Sequence, residues 1–271
     1  MSVKPLSNWD HLKVLTARTF NFFHCRLLRF SPLSRALRIV GDKIIQDAKV
    51  IVDDVIYVLI DLSSLYIIQP KYEEEVKRFL LSNMVPNGLF INIGAHIGKY
   101  ALLIAKKYPD AKVIAIEPNP IAYDALSKAL KINNVNNVQV FNIALSDSDN
   151  STDLCIRRSS VVSSIEEFEG CIEIRQVITK ALDSLINELG LGRVDLINID
   201  VEGAELRVIK GSLNTIVRFK PKLMIECEDR HYNELMRILR GVGYRCSVLE
   251  RYDYERYSNI VCIYEGLNDS Q

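Results

Sequence analysis

The architecture of this chain follows from one stretch, Leu89-Phe90-Ile91-Asn92-Ile93-Gly94-Ala95-His96-Ile97-Gly98-Lys99-Tyr100. A short apolar run ends at Gly94, and helical periodicity begins at once. The apolar face of that helix holds four residues: Ile97, Ala101, Ile104 and Tyr108. Strand, glycine turn and helix together bring backbone N–H groups and the positive end of a helix to a ligand. Two glycines four apart also occur where a helix only packs closely on a strand, so this signal alone is weak.

The composition fits one large soluble domain, with or without an N-terminal extension. The chain has 271 residues, of which 48% are hydrophobic and 25% charged, so it can bury a sizeable core. Its 34 basic and 34 acidic residues balance overall. Residues 1–45, however, hold eight Lys and Arg against two Asp and Glu, a net of +6 that leaves −6 for the remainder. A near-neutral chain with an acidic body is not typical of a general nucleic-acid binder.

Six cysteines show neither zinc-finger spacing nor a C-x-x-C pair: Cys25, Cys155, Cys171, Cys227, Cys246 and Cys262. Several fall in apolar, strand-like runs, so we expect buried, reduced thiols. Charges break the first apolar stretches, so we expect no signal peptide and a cytoplasmic protein. Residues 50–69 approach the length of a membrane span, but three aspartates and many β-branched residues favour paired strands.

Residues 1–45 interleave aromatic and leucine side chains with basic ones. This pattern is typical of helices that have one apolar and one basic face. A helical cap packed on the domain is the favoured interpretation, and a segment lying on an anionic membrane or partner is the alternative. With the hairpin predicted over 48–69, we expect a basic extension over 1–69 and the main domain over 70–271.

Beyond residue 70, strands alternate with helices, which predicts a parallel sheet with helices on both faces. The strands after 89–93 are expected at 113–117, 138–144, 194–200 and 222–226, with a terminal hairpin at 244–264. Residues 150–180 are predicted to form a β-rich excursion over the sheet. The strand at 194–200 is apolar on both faces, which predicts a central position.

Ligands of such sheets bind beyond the carboxyl ends of the strands, where the strand order reverses. Residues suited to ligand contacts stand at these ends: Asn92, Gly94, Glu117, Pro118, Asn119, Asn142, Ala144, Asp200, Glu202, Glu226, Glu228 and Asp229. Glu117 follows Gly94 by 23 residues, a position from which a carboxylate accepts both hydroxyl hydrogens of a ribose. The wide G-x-x-x-G loop suits a ligand without a pyrophosphate, and S-adenosylmethionine meets that description.

Three blocks resemble the signature blocks of the FkbM family of methyltransferases. They are Phe-Ile-Asn-Ile-Gly-Ala-His-Ile-Gly-Lys-Tyr at 90–100, Ala-Ile-Glu-Pro-Asn at 115–119, and Ile-Asn-Ile-Asp-Val-Glu-Gly-Ala-Glu at 197–205. With weaker similarities at 179–183 and 221–226, the resemblance covers roughly residues 70–230. It implies a seven-stranded, mostly parallel Rossmann-like methyltransferase fold, S-adenosylmethionine as cofactor, and O-methylation of a small molecule or glycan.

The resemblance also implies cofactor contacts at Asn92, Gly94, Ala95, His96, Gly98, Glu117, Pro118, Asn142 and Ala144. The two glycines and Ala95 would surround the methionine part, Glu117 would accept the ribose hydroxyls, and residues 142–145 would form the adenine wall. Two positions depart from the family pattern. Asn92 stands where the family usually has Asp, and it can bond the cofactor's ammonium through its carbonyl without supplying charge. His96 stands where the family usually has Asn, and a wall residue is favoured over a titrating group.

Asp200 and Glu202 flank the turn after the predicted central strand. We expect this pair to orient the acceptor, with one of them serving as the base that methyl transfer to a hydroxyl needs. The alternative is that Asp200 caps the following helix and Glu202 bonds only the backbone. Glu226, Glu228 and His231 are outer candidates. Such carboxylates can hold a divalent cation, but no ligand pattern demands one, so no metal is expected.

Three other functions remain to be weighed. A nucleic-acid amino-methyltransferase would show an Asn/Asp-Pro-Pro-aromatic turn where this chain has Asp-Val-Glu-Gly at 200–203, so we expect no nucleic-acid partner. A nicotinamide dehydrogenase would show the tighter G-x-G-x-x-G pattern. A catalytically silent binding module stays open because of Asn92 and His96. A methyltransferase acting on a small-molecule or glycan acceptor is the favoured function.

Overall fold

The computed structural model describes residues 3–22, 32–251 and 256–266. The strands, in chain order, are β1 (Lys4–Pro5), β2 (Lys49–Val52), β3 (Val55–Val58), β4 (Leu89–Ile93), β5 (Lys112–Ile116), β6 (Val138–Phe141), β7 (Ala144–Leu145), β8 (Asn150–Arg157), β9 (Cys171–Lys180), β10 (Leu196–Ile199), β11 (Lys222–Glu228), β12 (Tyr244–Arg251) and β13 (Tyr257–Tyr264). The helices are α1 (Asn8–Phe22), α2 (Pro32–Ile45), α3 (Leu62–Ile67), α4 (Glu74–Asn83), α5 (Lys99–Lys107), α6 (Pro120–Ile132), α7 (Leu182–Glu188), α8 (Glu205–Lys210), α9 (Leu213–Phe219) and α10 (Tyr232–Gly241). A 3-10 turn spans Ser160–Val162.

The central sheet has seven strands in the order β12-β13-β11-β10-β4-β5-β6. It is parallel except for β13, which runs antiparallel to both β11 and β12. The chain enters this sheet at β4 and continues outward through β5 and β6. It then returns to β10, which pairs with the other side of β4. The strand order therefore reverses between β4 and β10. The predicted α/β fold, the central place of β10 and the terminal hairpin are confirmed.

Both faces of β4 are buried, because its side chains alternate between two apolar layers. Phe90 belongs to the layer that contains α4, α5 and α6, while Ile91 and Ile93 belong to the layer that contains α7 to α10. All five residues of β4 are buried, which explains why this strand reads as a continuous apolar run rather than as an alternating one.

The N-terminal extension shares its core with the main domain. Val14 and Ala17 of α1 lie in the same buried cluster as Phe90, so the helical cap predicted for this segment packs on the domain. The hairpin β2–β3 is held from the other side, because the Asn133 side chain donates to the carbonyl of Ile56 (2.7 Å) and accepts from its N–H (2.9 Å).

Residues 48–69 fold as a hairpin only in part. The expected strands are β2 and β3, but the last third of the segment forms α3 instead. Asp61 begins this helix by accepting the N–H of Ser64 (2.7 Å), while the Ser64 hydroxyl accepts the N–H of Asp61 (3.2 Å). This reciprocal cap stabilises a helix start within an otherwise strand-like composition.

Two other elements are shorter than predicted. The strand expected at 138–144 is divided into β6 and β7, and β7 pairs with β9 outside the central sheet. The helix after Gly203 is divided into α8 and α9 at Gly211, where the chain passes close to the backbone of Ser146. A Cβ on Gly211 would lie 2.0 Å from the Ser146 carbonyl oxygen, so the helix is interrupted where these two segments touch.

The β-rich excursion over residues 150–180 is confirmed as β8 and β9, an antiparallel pair joined through the 3-10 turn. The expectation of reduced thiols is wrong for four cysteines, because Cys155 is bonded to Cys171 and Cys246 to Cys262. The first pair links β8 to β9 and the second links β12 to β13, which are neighbouring antiparallel strands. Cys227 is free and buried, and Cys25 lies outside the described residues.

Among residues 3–22, 32–251 and 256–266, none of the helices has the length and apolar composition that a membrane span requires.

Candidate active site

A cavity of about 400 Å³ opens at the carboxyl ends of β4, β5, β10 and β11, where the strand order reverses. Small-molecule sites commonly have volumes of roughly 300 to 1,000 Å³. Nine of the eleven residues predicted for the site line it: Asn92, Gly94, Ala95, His96, Glu117, Pro118, Ala144, Asp200 and Glu202. Gly98 and Asn142 are outside this lining. The 3-10 turn and α3 contribute the wall opposite the sheet.

The glycine loop brings the ends of β4 and β10 into direct contact. Gly94 has φ +79°, and a Cβ there would lie 1.6 Å from the carbonyl oxygen of Asp200. The N–H groups of Gly94 and Ala95 both donate to the carbonyl of Ile116 (2.9 Å each). At Gly98 a Cβ would lie 2.3 Å from the Leu126 side chain, so this glycine allows α5 to pack on α6. Gly94 therefore shapes the cavity, and Gly98 holds the helix behind it.

Asn92 leaves a buried acceptor in the cavity. The residue is 1% exposed, and its side-chain oxygen has no hydrogen-bond partner within the described part of the chain. A buried acceptor without a partner costs about 1–3 kcal/mol, so a ligand that donates a hydrogen bond here would recover that energy.

Glu117 organises the edge between β4 and β5. One carboxylate oxygen accepts the N–H of His96 (2.6 Å) and the other accepts the N–H of Asn119 (2.8 Å). Burial raises the pKa of Glu117 to about 7, although these two backbone donors oppose the increase. Each oxygen retains a second lone pair for a ligand hydroxyl.

Asn142, predicted for the adenine wall, has its side chain bonded to the backbone. Its amide donates to the carbonyls of Glu117 (2.8 Å) and Pro118 (3.0 Å), so it fixes the turn that follows β5. Within the predicted wall, Ala144 and Leu145 line the cavity, and both are apolar and buried.

His96 connects the glycine loop to the wall above it. Its Nε2 lies 2.8 Å from the Ser160 hydroxyl, and the Ser160 N–H donates to Asp61 (2.8 Å). Burial lowers the pKa of His96 to about 4, although the nearby Asp61 carboxylate opposes the decrease. The ring is therefore neutral near pH 7, which favours the wall-residue interpretation over a group that titrates there.

Three carboxylates converge at the ends of β10 and β11. One oxygen each of Asp200, Glu202 and Glu226 lies within 4.8 Å of the others, and no other such acidic, His or Cys group occurs in the described ranges. Burial raises the pKa of Asp200 to about 6. Burial and the Asp200 charge raise the pKa of Glu226 well above its ordinary value, and the two side chains are hydrogen-bonded to each other.

The alternative role for Asp200 is excluded. The helix after β10 begins at Glu205, its capping residue is Ala204, and no side chain caps it. The outer candidates Glu228 and His231 do not line the cavity. Glu205 accepts the N–H of Glu228 (2.9 Å) and lies 2.9 Å from the His231 ring, so these residues tie α8 to the end of β11.

Sequence reasoning missed a cation at the cavity wall. Lys99 donates to the carboxylate of Glu73 (2.8 Å) and to the carbonyl of Tyr72 (3.1 Å). The Tyr100 hydroxyl donates to the same Glu73 oxygen (2.6 Å). Burial lowers the pKa of Lys99, and the Lys99 charge in turn opposes the increase in the pKa of Asp200. Lys99 stands in the opening stretch, but its partner lies 26 residues earlier, and only the fold brings the two together.

A doubly wound sheet with a cavity where its strand order reverses is the architecture of Rossmann-like domains, which bind their ligands at this position. Residues 92–246 match the methyltransferase FkbM domain, which is more than half of the chain. The chain belongs to this family, as the three sequence blocks predicted.

The chain is also similar to two relatives and to one solved structure. Methyltransferase sdnD of Sordaria araneosa is 32% identical over an aligned length of 163 residues that covers 48% of this chain and 62% of that protein. Hexuronic acid methyltransferase AglP of Haloferax volcanii is 27% identical over 149 residues, 53% of this chain and 58% of that protein. The chain thus matches about three fifths of the length of these relatives. The crystal structure of methyltransferase FkbM from Methylobacillus flagellatus KT is similar in fold, with a TM-score of 0.51 and 15% identity over 95% of this chain and 61% of that one.

Proposed function

We propose that the protein transfers a methyl group from S-adenosylmethionine to a hydroxyl group of a sugar or other small molecule. The observation that carries this proposal is the arrangement of the cavity, in which a surface of hydrogen-bond acceptors adjoins a cluster of three carboxylates within 4.8 Å of one another. The first can hold a ligand, and the second can receive a proton from an acceptor.

The residues present fit the cofactor. The side-chain oxygen of Asn92 is buried and lacks a donor, which matches the ammonium of the methionine part. Gly94 leaves the backbone open to a ligand where a side chain would not fit. Glu117 has lone pairs for two ribose hydroxyls, and Ala144 and Leu145 offer an apolar wall for the adenine.

The bound cofactor would supply an electrophilic methyl group on a sulfonium sulfur. Asp200 would accept the proton of the attacking hydroxyl, because a base with a pKa of about 6 is largely ionised at pH 7 and still binds a proton. Glu226 would stabilise the Asp200 carboxylate by donating its own proton in a hydrogen bond. Glu202 would orient the acceptor from the other side of the turn. The positive charge of Lys99, which is paired with Glu73, would offset part of the negative charge of the carboxylate cluster.

An oxygen nucleophile is favoured by the chemistry of the relatives' acceptors. One relative is named for a hexuronic acid, whose nucleophilic groups are hydroxyl and carboxyl oxygens. Carboxylates are suited to remove a hydroxyl proton, whereas an amine acceptor would need less help from a base. The absence of a nucleic-acid partner, the cytoplasmic location and the boundary at residue 69 stay predictions.

Calorimetric titration with S-adenosylmethionine and, separately, with NAD tests the cofactor. We expect micromolar binding of the first and none of the second. A screen of hexuronic acids, neutral sugars and amines with a methyl-labelled donor then tests the acceptor, and we expect label on sugar oxygen. Binding of NAD would overturn the proposal, and binding of S-adenosylmethionine without transfer to any acceptor would favour the silent binding module. Repeating the transfer in a chelator tests the expectation that no metal is needed.

A further inference from the structure

Helix α1 exposes three large apolar side chains to solvent. Trp9 is 66% exposed, Leu12 52% and Leu15 56%, which is unusual for three large apolar side chains in one helix. Successive residues of a helix are about 100° apart, so these three side chains, each three positions from the next, share a sector of about 120°. Leu6, just before the helix, is also exposed, at 41%. We call Trp9, Leu12 and Leu15 the α1 stripe.

The orientation of this stripe is fixed by the opposite side of the helix. Asp10, Val14 and Ala17 are buried, and the carboxylate of Asp10 accepts the N–H of Lys49 (2.8 Å). Asp10 and Val14 are one helical turn apart, as are Val14 and Ala17, so the helix cannot rotate the stripe inward without breaking these contacts. Leu12 and Leu15 therefore point away from the domain.

The charged residues that α1 itself presents beside the stripe are basic. The acidic residue of α1, Asp10, is buried, whereas Arg18 is exposed beside the stripe and Lys13 donates to the carbonyl of Gln46 (2.8 Å) at its other flank. The first 45 residues carry a net charge of +6, while the remainder carries −6. An exposed apolar sector between cations matches a surface that is both apolar and anionic.

We propose that α1 binds the surface of an anionic lipid membrane, lying in the plane of the interface with the α1 stripe inserted among the lipids. A lipid surface is favoured over a protein partner because Trp and Leu on one face with basic residues beside them is the composition of interfacial helices, and because Trp prefers the boundary between apolar and aqueous phases. The helix stays packed on the domain through Val14 and Ala17, so the whole protein is carried to the membrane.

The chain provides its own reporter, because Trp9 is its one tryptophan. We expect phosphatidylglycerol vesicles to shift Trp9 emission of the full chain to shorter wavelength, and phosphatidylcholine vesicles to do so much less. Binding should weaken steeply with salt, as expected when a basic segment is attracted to anionic lipids.

Two test variants and one control variant test the mechanism. Leu12→Gln with Leu15→Gln should lower the affinity for phosphatidylglycerol vesicles at least about tenfold, since buried methylene groups carry such binding. Ile121→Gln with Val217→Gln removes exposed apolar side chains from α6 and α9 and should leave it unchanged. Arg18→Glu should lower the affinity about fivefold or more and reduce its salt dependence.

Three results would overturn the proposal: equal binding to both lipids, equal loss in both double variants, or an emission shift that follows protein concentration without lipid. The last result would identify a second copy of the chain as the occupant. None of the substituted residues lines the cavity, so cofactor binding should persist in every variant and the proposed function is tested independently.

Discussion

The two halves of the cavity differ in how their polar groups are satisfied. At the edge between β4 and β5, each oxygen of Glu117 accepts a backbone N–H, and the glycine loop is held by the carbonyl of Ile116. At the edge between β10 and β11, three carboxylates lie within 4.8 Å of one another, and burial raises the pKa of Asp200 and Glu226. We call these the binding half and the acidic half.

The difference indicates that the two halves of the cavity have different roles. The binding half is preorganised, because backbone contacts fix its groups before a ligand arrives. The acidic half holds carboxylates close to one another. Such an arrangement shifts the pKa values of its members and is frequent at catalytic sites. Changes of shape should therefore damage the binding half, whereas changes of charge at constant shape should damage the acidic half.

The largest effect is expected for Gly94→Ala. The new Cβ would lie 1.6 Å from the Asp200 carbonyl, at a φ of +79°, so the end of β4 must move away from β10. We expect binding of S-adenosylmethionine to fall below detection in calorimetry, and the melting temperature to fall by several degrees.

Gly190→Ala is the matched control for Gly94→Ala. Gly190 has a φ of +59° with nothing within 4 Å of a Cβ, so this variant retains the conformational strain without the collision. We expect it to bind the cofactor normally and to lose only about 1 kcal/mol of stability. An equal loss of cofactor binding in both variants would show that backbone strain at a positive φ, and not the contact between β4 and β10, causes the loss.

Glu117→Ala should abolish measurable cofactor binding. The change removes the carboxylate proposed to accept the ribose hydroxyls and leaves the N–H groups of His96 and Asn119 without their partner. Bonds to a charged acceptor contribute about 1.5–3 kcal/mol each, so a loss of at least about a hundredfold is expected. Glu117→Gln keeps the shape and one acceptor oxygen, and it should show an intermediate affinity. Normal binding by the alanine variant would contradict the ribose assignment.

Asp200→Asn tests the acidic half at constant shape. We expect the rate of methyl transfer to fall by about 10²- to 10⁴-fold, the range for loss of a general base, while the dissociation constant of the cofactor changes little. Asp153→Asn, at an exposed position on β8, is the control and should leave both quantities unchanged. If the transfer rate survives in Asp200→Asn and falls in Glu202→Gln, the base is Glu202.

The parts of the molecule that could be predicted are those encoded by local periodicity. The apolar run at 89–93 and the helix pattern after it predicted β4 and α5, and the rule that ligands bind at carboxyl ends of strands brought Asn92, Glu117 and Asp200 into one cavity. These inferences need only the order of elements along the chain.

The remainder depended on contacts between distant segments. Glu73 adopts a left-handed conformation just before α4, and its carboxylate accepts a hydrogen bond from Lys99. The disulfide between Cys246 and Cys262 depends on the register of β12 against β13, which cysteine spacing alone does not encode. Such features follow from tertiary pairing and become visible only in the folded chain.

The smallest expected effect is on the pH dependence of stability, and it arises in the acidic half. The pKa of Asp200 is raised from an ordinary 3.8 to about 6, mainly by burial, so the folded state binds this proton more tightly than the unfolded state. Its contribution to the free energy of unfolding is therefore fully present below about pH 4 and is lost as the pH rises to about 6. Asp200→Asn cannot ionise, so we expect it to be more stable than the parent by about 1–3 kcal/mol at pH 7 and equal to it near pH 4. Urea unfolding across this range, with Asp153→Asn in parallel, measures the difference. A difference that does not vary with pH would mean that burial does not raise the pKa of Asp200 in the folded state, and the contrast between the two halves of the cavity would then fail.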